Sequence, residues 1–153
     1  MAYSKAPQPI VWFISTSGKL LGITYVPEQQ IGAWHQHDTD GAFESCTVVA
    51  EGSEDVLYVV VRRTINGQTV RYREKWSLEG ECQGGTLNKQ ADSFIIYQGA
   101  STLTITGLGH LEAESVVVWQ NGVCPEDGDD PKTYTVTSGS IILDTACTSA
   151  FIG

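Results

Sequence analysis

The residues of this chain best suited to chemistry are two histidines in the segment Trp34-His35-Gln36-His37-Asp38. In a β-strand, residues two apart point to the same side, so His35 and His37 could together hold a metal ion or act as a base pair. A transition-metal site needs a third ligand, however, and Asp38 would point to the other side of such a strand. The pattern therefore favours two polar residues at a solvated strand end, and a metal-dependent hydrolase is the least favoured function.

Other catalytic and cofactor-binding patterns are missing from the sequence. There is no Gly-x-Ser-x-Gly segment, and no glycine cluster precedes a Lys-Ser or Lys-Thr pair. Cys46 lies among apolar residues, as is typical of a core thiol. Asp127-Gly128-Asp129-Asp130 offers oxygen ligands for calcium but lacks the spacing of an EF-hand loop. We therefore expect no catalytic residue, no metal site and no cofactor.

Two groups of residues could instead form binding surfaces. Residues 69–76 alternate so that Arg71, Arg73 and Lys75 line one side of a predicted strand. This basic face is expected to pair with acidic residues of an adjacent strand, of the acidic C-terminal part, or of another subunit. Trp34 and Trp76 are candidates for stacking on sugars, although a tryptophan on a strand of so small a chain more often fills the core.

The elements expected to position these residues are strands. Short runs rich in Val, Ile and aromatic residues alternate with Gly, Asn and Asp turns, which predicts an all-β fold. Asn66-Gly67 and Asn121-Gly122 predict tight hairpins, because both residues of a type I′ turn need positive φ. The only helix-like stretch, residues 108–114, is too short to be more than a turn. Strands are predicted at residues 10–15, 20–25, 31–37, 43–50, 56–63, 69–76, 93–97, 101–106, 115–120, 132–137, 140–143 and 149–152.

Composition divides the chain after Trp76. We expect an antiparallel β meander resembling a propeller segment at 1–80, a polar, Gly-rich linker at 81–92, and a small β-sandwich or barrel-like module at 93–153. Seven basic and nine acidic residues precede Glu81, while two basic and nine acidic residues follow from there, which gives net charges of −2 and −7.

The overall charge excludes several partners. With 9 basic against 18 acidic residues, the chain has a net charge of −9, which disfavours both sequence-specific nucleic-acid binding and an anionic membrane surface. No apolar run is long enough to span a bilayer, and the N-terminal residues do not resemble a signal peptide. The four cysteines show no CxxC pair, and reduced thiols are expected.

Several segments together resemble one protein family. In the first part these are residues 18–25 (GKLLGITY), 30–38 (QIGAWHQHD), 44–49 (ESCTVV), 55–67 (DVLYVVVRRTING) and 70–75 (VRYREK). In the second part they are residues 92–93, 106–112 (TGLGHLE) and 138–141 (SGSI). The combination, covering roughly residues 10–153, is similar to the tail tubular or nozzle proteins of short-tailed bacteriophages and related prophages.

The resemblance implies a structural role in a virion. Proteins of that family are β-rich, partly propeller-like, and assemble as a ring below the portal that conducts DNA, with no catalysis and no cofactor. A propeller needs four or more blades of four strands, so this chain would correspond to one piece of such a protein. The expected partners are other tail or head–tail connector proteins and further copies of the chain, and the expected location is the virion tail after synthesis in the bacterial cytoplasm. A carbohydrate-binding β module on the tail is the alternative.

Overall fold

The computed structural model describes residues 1–77 and 91–153, and these residues are built from antiparallel strands. The all-β prediction is confirmed. Within the described residues the only helical elements are two three-residue 3-10 turns, Pro27–Gln29 and Gly109–Leu111, the second inside the stretch predicted to be a turn. The strands are β1 (Ala2–Ser4), β2 (Ile10–Ile14), β3 (Leu20–Val26), β4 (Ile31–His37), β5 (Ala42–Glu51), β6 (Glu54–Ile65), β7 (Gln68–Lys75), β8 (Ile95–Thr106), β9 (Ser115–Gln120), β10 (Glu126–Asp127), β11 (Asp130–Pro131), β12 (Thr133–Thr135) and β13 (Ser140–Ile152).

The chain divides into two compact units. Among the described residues, the first unit holds 1–64 and 69–77, and the second holds 65–68 and 91–153. The linker expected at 81–92 lies outside the described residues except for its last two positions.

The first unit consists of two sheets, with strand orders β1-β2-β3-β4 and β5-β6-β7. Strands follow chain order within each sheet, and the chain passes from one sheet to the other between β4 and β5. Both sheets contribute to one buried core, which is formed by Trp12 and Leu20 from the first sheet and by Phe43, Leu57, Val59 and Val61 from the second.

The second unit has one four-stranded sheet of order β12-β9-β13-β8 and a separate two-stranded ribbon, β10-β11. β8 and β13 are each a single long strand where the sequence predicted two. Their pairing continues past two register shifts, so neither strand is interrupted. The amide oxygen of Asn121 accepts hydrogen bonds from the backbone N–H groups of Thr148 and Ser149 beside these shifts. The core is formed by alternate residues of the strands, by Leu111 of the 3-10 turn, and by Leu108 and Val136, which lie next to these elements. The strand residues include Ile105, Val116, Val118, Ile141 and Ile152.

Both Asn-Gly pairs form the predicted tight turn, but only the first makes a hairpin, between β6 and β7. The second closes an isolated bridge between Gln120 and Val123. Asn66 and Gly67 have φ of 48° and 71°, and Asn121 and Gly122 have φ of 47° and 84°. Positive φ at both central residues is the requirement of a type I′ turn, whose twist matches that of the flanking strands.

A buried ion pair lies between β6 and β7. Arg63, which is 3% exposed, donates from Nε and Nη2 to the two carboxylate oxygens of Glu74 at 2.8 and 2.9 Å. Its Nη1 also donates to the Asp40 carbonyl oxygen at 2.8 Å. The fork geometry satisfies a charge that would otherwise be costly to bury.

Candidate interaction faces

The predicted basic face lies on β7, which is an edge strand of the β5-β6-β7 sheet. Arg71, Arg73 and Lys75 are exposed, whereas the intervening Tyr72 and Glu74 are half-buried, so the predicted alternation is confirmed. Two of the three cations are already paired within the first unit. Arg71 donates to Glu44 at 2.7 and 3.2 Å, and Lys75 lies 2.8 Å from a carboxylate oxygen of Glu51.

These pairs run across the sheet in two transverse rows. Glu44 is on β5 and Arg71 on β7, with Arg62 of the central strand β6 at 3.2 Å from the same carboxylate. The second row likewise joins Glu51 on β5 to Lys75 on β7, with the Tyr58 hydroxyl of β6 donating to Glu51. The partners are therefore two strands away in the same sheet, and not on the adjacent strand, which was one of the three places expected from the sequence.

The paired carboxylates are stabilised in their charged form. The hydrogen bond from Arg71 lowers the pKa of Glu44, and the hydrogen bond from Lys75 lowers the pKa of Glu51. Since all four groups are largely solvated, these pairs contribute little to stability, and they reduce the positive charge available to an external partner.

Trp34 lies on the outer face of the first sheet, away from the core. The register aligns one residue from each strand in a single row, which consists of Tyr3, Val11, Ile23 and Trp34. Trp34 is 66% exposed and Tyr3 is 56% exposed. The next rows add Phe13, whose ring lies 6.0 Å from that of Trp34, and Tyr25, which is 58% exposed. We call this surface the outer aromatic face.

Trp76 has a different environment from Trp34. It is half-buried beside the core of the first unit, with its ring 6.0 Å from that of Trp12 and 4.8 Å from that of His37 in an edge-to-face arrangement. The Trp12 indole N–H donates to the Ser4 hydroxyl at 3.2 Å. Of the two tryptophans predicted as binding residues, the structure leaves Trp34 accessible and uses Trp76 in packing.

The two histidines point to the same side of β4, as their spacing predicts, and that side faces the core. His35 Nδ1 and His37 Nε2 share a hydrogen bond of 2.8 Å, and the His35 ring packs edge-to-face on Trp12 at 5.4 Å. The ring also covers Gly22 of β3, where any Cβ would overlap it. Thus a glycine in the neighbouring strand makes the space that the imidazole fills.

Burial, and then the nearby His35, lowers the pKa of His37. A hydrogen bond between two imidazoles requires one ring nitrogen to be an unprotonated acceptor, so the arrangement suits neutral rings. Asp38, which acts in the opposite direction on His37, lies 3.0 Å from the Lys19 ammonium.

Among residues 1–77 and 91–153, no group of three or more His, Cys, Asp or Glu side chains is arranged to hold a metal ion. No helix of that part of the chain is long and apolar enough to cross a bilayer. Cys46, Cys124 and Cys147 are free thiols.

Sequence reasoning missed most of the outer aromatic face. β1 has three residues, too few to give a strand signal, so the sequence does not indicate that Tyr3 belongs to a sheet. Val11, Ile23 and Trp34 occupy alternate positions in three predicted strands, which is the signal that could have placed them on one face. What the sequence did not contain was the relative register of those strands.

Comparison with known proteins adds no family to this description. The chain matches no protein-family model, and no curated protein matches it significantly.

Proposed function

We propose that this chain is a structural component of a bacteriophage tail, of the nozzle or tubular type, that acts through protein–protein contacts without catalysis. The sequence resemblance to nozzle-type proteins supports the biological setting. The observation that supports a function through protein–protein contacts is the outer aromatic face. A group of large apolar side chains that are exposed together is typical of an interaction surface.

The exposed rings offer substantial binding energy. A two-thirds exposed tryptophan presents on the order of 100–150 Å² of mostly apolar surface, and covering it would contribute about 3 kcal/mol at about 25 cal/mol per Å². Tyr3 and Tyr25 add amphipathic rings of the kind enriched at protein interfaces. Other tail or head–tail connector proteins, or further copies of this chain, would supply the covering surface in the virion.

The charge of the chain is consistent with such a position. A net charge of −9 repels the DNA phosphates, so DNA passing near this protein would slide without adhering. The in-sheet pairing of Arg71 and Lys75 supports the same expectation, because it removes two cations from the set that could bind phosphate.

Incorporation into particles tests this proposal. Particles produced with a Trp34→Lys chain should contain much less of it than particles produced with the natural chain, as measured by quantitative mass spectrometry. Val49→Lys, which also replaces an exposed apolar residue but on β5, is the matched control and should be incorporated normally. Absence of the natural chain from purified particles would remove the proposal.

Carbohydrate binding is the second candidate, since exposed Trp34 and Tyr25 could stack on sugar rings. A glycan array would separate the two functions. Binding that is lost in Trp34→Ala and retained in Val49→Ala would favour the carbohydrate module, whereas silence on the array together with incorporation into particles would exclude it.

A further inference from the structure

The free edge formed by β4 differs from the other sheet edges of the described residues. Long, regular edge strands tend to pair with other chains, and proteins usually protect them by shortness, bulges, charges or proline. β1 and β12 have three residues each, β5 is interrupted by a bulge, and β7 presents its three basic side chains. β8 is uncharged, but its register with β13 shifts twice.

β4 has none of these protective features. Its seven residues, Ile31–His37, pair with β3 without any register shift and include neither a charged residue nor a proline. Within residues 1–77 and 91–153, no strand lies on its other side.

The free backbone groups of β4 can be identified from the antiparallel pattern. The Tyr25 N–H of β3 donates to the Pro9 carbonyl oxygen on the β2 side, so the even-numbered residues of β3 bond toward β4. Their partners in β4 are its odd-numbered residues. The N–H and C=O groups of Gly32, Trp34 and Gln36 therefore point outward, away from the sheet.

We propose that β4 is a strand-addition surface for a second copy of this chain, in which two β4 strands pair antiparallel about a twofold axis at Trp34. Trp34 is the middle residue of β4, so this register pairs all seven residues. Trp34 lies opposite Trp34 of the other copy, and Gly32 lies opposite Gln36. All three outward-facing residues then find a backbone partner.

Charge favours a second copy at this place. Two chains of net charge −9 repel each other, and they can approach most easily where neither surface carries charge. β4 contributes none, and Asp38 immediately after it is paired with Lys19. The twofold arrangement also joins the two outer aromatic faces across the Trp34 pair, as an isologous interface requires.

The inference rests on the proposed assembly function. Association of the purified chain is measured separately from incorporation into particles, so that the dimer proposal and the assembly function can be refuted independently. Analytical ultracentrifugation from about 10 to about 300 μM, where a small interface associates, should show a reversible monomer–dimer equilibrium. Gln36→Pro removes one outward N–H per copy and should weaken the dimer about tenfold or more. Gln36→Ala keeps that N–H and should associate as the natural chain does.

A cysteine cross-link tests the register. Directly opposed residues in a hydrogen-bonded pair have Cα atoms about 5.5 Å apart, which a disulfide can span. Trp34→Cys should therefore form a dimer on mild oxidation in which the new thiol of one copy is linked to the same position of the other, as identified by peptide mass spectrometry. In Gln36→Cys the two new thiols lie far apart in this register, so they should not form a disulfide between the two copies.

Three results would overturn the proposal: a monomer throughout the concentration range, equal association of Gln36→Pro and Gln36→Ala, or open-ended aggregates instead of a closed dimer. Any of them with normal incorporation into particles would leave the assembly function standing. A closed dimer that never enters particles would overturn the assembly function instead.

Discussion

Removing the buried guanidinium of Arg63 should destabilise the first unit by about 3 kcal/mol. Arg63→Met keeps the aliphatic stem but removes the two charge-assisted hydrogen bonds to the Glu74 carboxylate and the hydrogen bond to the Asp40 carbonyl oxygen. Breaking a buried pair in this way typically costs about 3–5 kcal/mol. The Glu74 side chain is 22% exposed and can turn partly toward water, which places the expected cost at the lower end.

Urea unfolding followed by tryptophan fluorescence would measure this cost. Because the chain has two units, the measurement is made in a Trp119→Phe background, which leaves Trp12, Trp34 and Trp76 as reporters of the first unit. The Trp119 indole nitrogen has no hydrogen-bond partner among the described residues, so this replacement breaks none that the structure shows.

The double variant Arg63→Met/Glu74→Met provides the control. Replacing both charges by apolar groups of similar size should recover most of the lost stability, since an ion pair at a buried site is often no better than good packing. A loss below about 1 kcal/mol for Arg63→Met alone would refute the reasoning, because it would mean that the pair is effectively solvated.

Three further outcomes are expected. Gly41→Ala should destabilise the first unit by about 1–3 kcal/mol in the same urea assay. The new Cβ would overlap the Arg62 carbonyl oxygen, and Gly41 has a φ of +142°, which disfavours a residue with a side chain. Lowering the pH from 7.5 to 5 should lower the urea midpoint of the natural chain. The pKa of His37 is lower in the folded state than its unfolded value of about 6.5, so stability is lost as the pH falls below about 6.5. The variant His37→Gln should show a weaker dependence of the urea midpoint on pH. Trp34→Ala should change the free energy of unfolding by less than about 0.5 kcal/mol, since the side chain is mostly exposed, and a larger loss would mean that the outer aromatic face serves folding.

Local chemistry explains which features could be predicted from sequence. Asn66-Gly67 specifies its own turn through the φ values that these residues tolerate, and the alternation around Arg71 follows from the two-residue period of a strand. The facing of His35 and His37 has the same origin. None of these inferences requires knowledge of a neighbouring strand.

Features that depend on pairing between distant segments could not be predicted in this way. The partner of Arg71 is Glu44, 27 residues away and on the far side of a central strand. β1 becomes a strand only because β2 is beside it, and the row that ends at Trp34 depends on three separate registers. The two-residue alternation of side chains along a strand indicates which face of the sheet a residue lies on. It does not indicate which residue of the adjacent strand lies opposite.

The two transverse rows of the β5-β6-β7 sheet have a mechanical consequence. Each row connects the outer strands β5 and β7 across the face of the central strand β6. The first row joins Glu44 to Arg62 and Arg71, and the second joins Glu51 to Tyr58 and Lys75. A force along the strands would strain both rows together as β7 slides past β6, whereas a force that peels β7 away from its end would load them one at a time. Because the ion pairs are solvated, their contribution to this resistance is small, and it should decrease further as ionic strength rises.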